Sequence, residues 1–125
     1  MPSWDHEDCD PAIDFEHTRL YRMMDRLEPI ILEGQQDTAV RRAIDILSRR
    51  MTEHFRIEEE LFTTADWDSR TVMKDDHRRL LTMLKALSDI PPADADARRS
   101  LFTSFLEALQ RHDSDVDAPL FRMHH

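Results

Sequence analysis

The feature that most constrains the fold is a stripe of residues at helical spacing between Val40 and Leu61. Its members are Val40, Ile44, Leu47, Met51, His54, Glu58 and Leu61. They are separated alternately by four and three positions, which is the period of one face of an α-helix. The apolar members mark this face as buried, so His54 and Glu58 are expected inside the protein. A buried carboxylate is costly without a cation, and His and Glu one turn apart can hold a metal ion together.

Three further segments carry stripes of the same period, so the sequence predicts an all-α protein. We expect helices over about 11–34, 37–62, 68–90 and 94–119, with short connections between them. Helices of this length with short connections form an up-down-up-down antiparallel four-helix bundle. We interpret residues 1–125 as one domain, in which residues 1–11 form an N-terminal arm.

Residues typical of helix ends bound these segments. The expected N-caps are Asp37 for the second helix, Asp68 or Ser69 for the third, and Asp94 or Asp96 for the fourth. Pro29 is expected to end or kink the first helix before Gly34, and Pro119 to end or bend the last. Trp67, in the connection before the third helix, is expected to close one end of the bundle.

Composition excludes several classes of function. The formal net charge of −9 repels nucleic acid and anionic membranes, and no apolar run is long enough to span a bilayer. The acidic N-terminus lacks the apolar core of a signal peptide, so the expected compartment is the cytoplasm. Mixed charge on the exposed faces gives no reason to expect a large apolar interface, and no partner protein is indicated.

Histidines provide the strongest functional signal. One occupies a core position in each expected helix: His17, His54, His77 and His112. A single buried histidine is usually a hydrogen-bonded core residue, but four together with Glu58 favour a metal site. Imidazole and carboxylate suit iron, manganese or zinc, and this set exceeds the four ligands of a structural zinc. Helical bundles commonly hold carboxylate-bridged di-iron or di-manganese centres. In this chain Glu58 is the first candidate for the bridging carboxylate.

A second bridging carboxylate does not follow from the spacing. Asp113, Asp115 and Asp117 all come soon after His112. Five residues turn an ideal α-helix about 140° past one full rotation, so Asp117 does not share the narrow face of His112. We interpret Asp113 and Asp115 as solvated charges at a helix end.

Three motifs resemble those of the hemerythrins, in particular the single-domain bacterial hemerythrin-like proteins. Residues 13–21 are similar to the first-helix motif of that family. Residues 54–62 resemble its HFxxEE motif, and residues 112–117 match its HxxxxD motif. The motifs occur in the family's order and with compatible spacing over nearly the whole chain.

The resemblance implies a non-haem di-iron site that binds O2 reversibly, for oxygen storage, delivery or sensing. It implies two iron ions, joined by an oxo or hydroxo bridge, with a single iron as the alternative. His17 and His54 would hold one iron, His77 and His112 the other, and Glu58 and Asp117 would bridge them. Phe55 and Leu109 resemble the apolar lining of the family's oxygen pocket.

One position departs from the family pattern. Met73 stands where the family's HxxxH motif has a further histidine, and we interpret it as a core filler rather than a thioether ligand. Water, His6 or a C-terminal histidine would then complete the coordination shell of the iron beside His77. The coordination position left open at Met73 favours an alternative function, that of a di-iron oxidase, peroxidase or nitric-oxide-handling enzyme. A metal-buffering protein is the third alternative. The partner is therefore O2, another small diatomic or a peroxide, and the sequence leaves open whether the protein is an enzyme.

Overall fold

A computed structural model describes residues 11–63, 66–91 and 93–117 of the chain, without the side chains of residues 11–14 and 117. Within these ranges the chain forms α1 (Pro11–Glu33), α2 (Asp37–Leu61), α3 (Trp67–Asp89) and α4 (Ala95–His112). A π-helical turn, Asp113–Asp117, directly continues α4. These ranges contain no strand, so the predicted all-helical class is confirmed. The expected arm lies outside the described residues, apart from Pro11, which begins α1.

The helices form a four-helix bundle. Each helix packs against the next, and α4 also packs against α1, which closes the bundle around one hydrophobic core. The four core histidines lie near the start of α1, the end of α2, the first half of α3 and the end of α4. In an antiparallel bundle these positions come to the same level, because alternate helices run in opposite directions. No helix of the described residues is apolar over a length that could cross a membrane.

Helix starts differ from expectation at two of three places. Gln36 occupies the N-cap position of α2 and makes no side-chain cap, so the assignment of Asp37 was wrong. Asp37 is instead the first helical residue, where its charge faces the positive end of the helix dipole. The carboxylate of Asp66 caps α3 by accepting from the N–H of Ser69 at 3.0 Å, so the assignment of Asp68 or Ser69 was wrong. The fourth helix begins after Asp94, one of the two expected caps, which accepts from the N–H of Ala97.

The first helix passes through Pro29 and ends at Glu33, and the N–H of Gly34 donates to the carbonyl of Ile30 at 2.9 Å. A β-carbon at position 34 would lie 2.3 Å from that carbonyl oxygen and 2.9 Å from Cγ2 of Val40. Glycine is therefore required where the end of α1 meets the start of α2.

Two apolar residues expected inside the bundle face solvent. Trp67 is 74% exposed, so it does not close the end of the bundle. It is the first residue of α3, before the inward stripe begins. Leu61 is 47% exposed, and Phe62 is buried in its place. The reason is that α2 ends at Leu61, where the chain leaves helical geometry and turns the next side chain inward.

Arg98 of α4 is buried, and the sequence pattern gave no sign of it. Its Nε donates to the carbonyl of Ile31 at 2.6 Å, and its Nη2 donates to the carbonyl of Gly34 at 3.0 Å. Carbonyls at the end of a helix have no donor within the helix. The guanidinium of Arg98 therefore ties the end of α1 to the start of α4.

Replacing Arg98 with Met is expected to lower the free energy of unfolding by about 2–3 kcal/mol, because buried carbonyls lose a charged donor. Urea denaturation of the metal-free protein measures the change. The matched control is Arg99→Met, since Arg99 is exposed, donates to the carbonyl of Leu32 and pairs with the exposed Asp96. Equal losses in the two variants would contradict the assigned role of Arg98.

Candidate metal centre

One group of possible metal ligands joins α1 and α2. Nε2 of His54 lies 2.9 Å from Oε1 of Glu58, and Nε2 of His17 lies 3.7 Å from Oε2 of the same carboxylate. All three side chains are fully buried. The stripe on α2 places His54 and Glu58 one turn apart, and His17 reaches them from the first turns of α1.

A second group joins α2, α3 and α4 through the same glutamate. Nε2 of His77 lies 3.6 Å from Oε1 of Glu58 and 3.1 Å from Nε2 of His112. In each group the three ligand atoms lie within 4.8 Å of one another, so each group can hold a metal ion. Glu58 belongs to both groups, which makes the arrangement suitable for two ions that share a carboxylate.

The donor chemistry fits this interpretation. Four imidazole nitrogens converge on one buried carboxylate in the part of the chain that the structure describes. Imidazole with carboxylate suits iron, manganese or zinc. Converging lone pairs without a cation would repel one another in a medium of low dielectric constant. The residues present therefore fit a metal centre.

Three further carboxylates contact the outer nitrogens of the histidines. Nδ1 of His54 lies 3.3 Å from Oε1 of Glu16. Nδ1 of His77 lies 2.9 Å from Oε2 of Glu59, and Nδ1 of His112 lies 2.7 Å from Oδ2 of Asp76. A carboxylate that accepts from Nδ1–H leaves Nε2 free to bind a metal, and it fixes the orientation of the ring.

Sequence reasoning missed these carboxylates, although each is adjacent in the chain to a residue of the site. Glu16 precedes His17, Glu59 follows Glu58, and Asp76 precedes His77. On an α-helix, consecutive side chains point about 100° apart. The side chain next to an inward residue therefore points toward the interface with the adjacent helix. Acidic residues next to an inward histidine or to Glu58 were therefore the available signal.

Asp113 contradicts the interpretation of a solvated helix end. It is only 5% exposed, and its Oδ1 lies 4.0 Å from Nε2 of His17. Asp115, in contrast, is exposed. Asp113 begins the π-helical turn after α4, next to His112, and so brings a carboxylate from the last helix to the histidine of the first.

The π-helical turn also alters the argument about Asp117. In a π-helix each N–H bonds to the carbonyl five residues earlier, so residues five apart lie nearly above one another. The backbone from Asp113 to Asp117 has this geometry. The α-helical objection to pairing His112 with Asp117 therefore does not apply over this turn. The Asp117 side chain lies outside the described part of the chain, so its role as a ligand stays a prediction.

Apolar residues named from the sequence lie beside the histidines. The ring of Phe55 stacks on that of His77, with centroids 4.1 Å apart, and Leu109 is fully buried one turn before His112. Met73 is fully buried one turn before His77 and belongs to the hydrophobic core. An oxygen pocket at Phe55 and Leu109 stays a prediction, as does the absence of Met73 from the ligand set.

Ionisation of the buried histidines differs across the metal-free site. Burial opposes protonation of His54, but Glu58 and Glu16 outweigh it and raise the pKa of His54 to about 9. Burial dominates at His17 and His112 and lowers the pKa of each. The pKa of Glu16 is lowered because contacts with His54 and Arg50 outweigh its burial. One protonated imidazole and one carboxylate thus stabilise each other in the metal-free state.

The metal-free protein is expected to be most stable near pH 6.5. The raised pKa of His54 gives stability that is complete below its ordinary value of 6.5 and is lost as the pH rises through about 9. The loss is on the order of 3 kcal/mol. Below pH 6.5 the lowered pKa values of His17 and His112 reduce stability, because only the unfolded chain takes up those protons readily.

Urea denaturation with a chelator present, repeated from pH 5 to 9.5, measures this profile. His54→Gln should remove most of the alkaline decline. A profile that is flat between pH 6.5 and 9 in the unsubstituted protein would show that His54 is not held protonated.

Comparison with known proteins agrees with this geometry. Residues 10–123 match the family model described as the hemerythrin HHE cation-binding domain. No curated protein and no solved structure matched the chain. The family match covers nearly all of the 125 residues, and the buried histidines and Glu58 fall within it. The chain therefore belongs to the hemerythrin family.

Proposed function

We propose that the protein is a non-haem di-iron protein that binds O2, for storage, delivery or sensing. The observation that carries the proposal is Glu58, whose carboxylate belongs to both groups of possible ligands. Its Oε1 lies near Nε2 of His54 and Nε2 of His77, and its Oε2 lies near Nε2 of His17. In this proposal His17 and His54 hold one iron, and His77 and His112 hold the other. Glu58 and Asp117 bridge the pair, because shared carboxylates offset the repulsion between two nearby cations.

The protein's own residues prepare the site for these ions. Glu16, Glu59 and Asp76 hold the Nδ1 protons of three histidines, so the Nε2 lone pairs point inward. Iron, when bound, supplies the change of oxidation state that reversible O2 binding requires. Phe55 and Leu109 form an apolar wall that limits the access of water and protons.

Anaerobic reconstitution with ferrous iron, followed by O2, tests the proposal. We expect about two irons per chain and a visible absorption band that appears with O2 and disappears when O2 is removed. Well under two irons per chain would exclude the di-iron form. Full iron content without a reversible band would exclude O2 carriage.

A second candidate, an oxidase, peroxidase or nitric-oxide-handling enzyme, is favoured by two observations. Met73 offers no nitrogen beside His77, and Asp113 places a buried carboxylate near His17 where an apolar side chain would exclude water better. Both changes favour exchange of small ligands and protons at the site. Sustained consumption of a reductant with O2, hydrogen peroxide or nitric oxide would support the enzyme over the carrier.

A further inference from the structure

A basic cleft lies on the outer surface of α1 and α2, and no histidine lines it. Its lining consists of Arg19, Arg22, Met23 and Arg26 of α1 and Arg50 of α2, around a volume of about 330 Å³. We call it the arginine cleft. The α1 residues are spaced by three, four and seven positions, so they share one face of the helix. The proposed O2 site uses none of these side chains.

The charge of the arginine cleft is opposite to that of the protein. The chain has a formal net charge of −9, yet four guanidinium groups and no carboxylate of the described residues line this cleft. Elsewhere on the surface, many arginines pair with acids, at Arg49, Arg56, Arg78, Arg79 and Arg99. Neighbouring like charges repel unless an anion lies between them. The cleft is therefore a local centre of positive potential.

Within the described part of the chain, three of these arginines have no acidic partner. Arg22 and Arg26 are exposed and make no ion pair there, and Arg19 lies over the ring of Phe15, 5.7 Å from its centroid. Only Arg50 has a carboxylate, that of Glu16. The donors of Arg22 and Arg26 are thus available to a ligand.

Arg50 connects the arginine cleft to the metal centre. Its Nη2 lies 2.5 Å from Oε1 of Glu16, and that same oxygen lies 3.3 Å from Nδ1 of His54. One glutamate oxygen therefore separates the cleft from a histidine of the site. A ligand that attracts Arg50 competes with Glu16 for the guanidinium.

We propose that the arginine cleft binds the phosphate group of a small molecule and that this binding tightens the metal centre. Guanidinium groups recognise phosphate through paired N–H donors, and several can surround one dianion. The volume exceeds what a phosphate alone needs and leaves room for the rest of a small metabolite. A nucleic acid is disfavoured as the ligand, because the net charge of −9 repels a long polyanion.

The expected coupling has a definite sign. When an anion takes Arg50, the charge of Glu16 is less neutralised and its hydrogen bond from Nδ1–H of His54 strengthens. A stronger outer hydrogen bond makes the imidazole a better metal ligand. Anion binding in the arginine cleft does not depend on the proposed metal centre. The coupling between anion binding and metal affinity rests on the proposed function.

Calorimetric titration of the protein, both metal-free and metal-loaded, tests anion binding. The probes are sulfate, inorganic phosphate and adenosine monophosphate, each at constant ionic strength in chloride. Arg22→Gln combined with Arg26→Gln should weaken all of them at least about tenfold. Arg41→Gln combined with Arg42→Gln, which removes the same charge from the exposed face of α2, should leave them within about twofold.

Two outcomes would overturn the anion site. One is the absence of saturable binding to the unsubstituted protein. The other is equal weakening in both double variants, which would indicate only a response to net charge. Tighter binding of adenosine monophosphate than of inorganic phosphate would identify a phosphorylated metabolite as the ligand, and equal affinity would identify the free anion.

Competition with a chromogenic ferrous chelator tests the coupling. Saturating sulfate, a weak ligand of iron, should lower the apparent dissociation constant for iron about threefold relative to chloride. Because such coupling is reciprocal, bound iron should lower the dissociation constant for sulfate by the same factor. The change should persist in the Arg41/Arg42 double variant and vanish in the Arg22/Arg26 double variant. An identical change in both would overturn the coupling. Failure to bind iron at all would refute the proposed function while leaving the anion titration readable.

Discussion

Glu58→Gln is expected to abolish tight binding of both metal ions. Glu58 is the only carboxylate shared by the two groups of possible ligands in the described chain, so one substitution affects both ions. An amide can offer an oxygen but no charge to offset the repulsion between two cations. The apparent affinity should fall by more than the roughly 10–100-fold that loss of an outer hydrogen-bond partner costs.

Metal content after reconstitution and gel filtration measures this loss, and circular dichroism verifies that the variant still folds. The matched control is Glu60→Gln, since Glu60 is exposed on the same helix and, among the described residues, pairs only with Arg56. The control should keep its full metal content. Two ions retained by Glu58→Gln would refute the shared carboxylate and with it the di-iron proposal.

Residues whose position follows from helical period alone could be predicted from the sequence. His17, His54, His77, His112 and Glu58 replace apolar residues in inward stripes, and the structure places all five side chains in the core. Four stripes with short connections leave few arrangements other than a bundle. Several polar residues buried together in such stripes indicate a site, because a core tolerates them only with partners.

Residues beside the stripes could not be predicted in this way. Each of the three carboxylates, Glu16, Glu59 and Asp76, lies one position from a site residue. At such a position the sequence does not distinguish a side chain that faces solvent from one that faces the interface with another helix. Asp113 depends on a π-helical turn, which arises from backbone hydrogen bonding that composition does not reveal. The burial of Arg98 depends on where the end of α1 meets α4, a contact between distant parts of the chain.

Met73→His is expected to have opposite effects with and without metal. In the metal-free protein an imidazole would replace a fully buried thioether in the hydrophobic core, at a cost of about 1–3 kcal/mol for an unpaired polar group. With metal present, histidines at positions 73 and 77 would be one turn apart and could bind the same ion. The affinity for that ion should then rise at least about tenfold, and metal in excess should recover the lost stability by mass action.

Thermal denaturation with chelator and with excess ferrous iron separates the two effects, and Met73→Leu is the matched control. Leucine keeps an apolar side chain of similar volume, so it should change stability by less than about 1.5 kcal/mol and leave metal affinity unaltered. If the histidine variant is destabilised but binds metal no better than the leucine variant, position 73 lies outside the ligand shell. In that case the ion beside His77 is completed by another group, and Met73 serves only to fill the core.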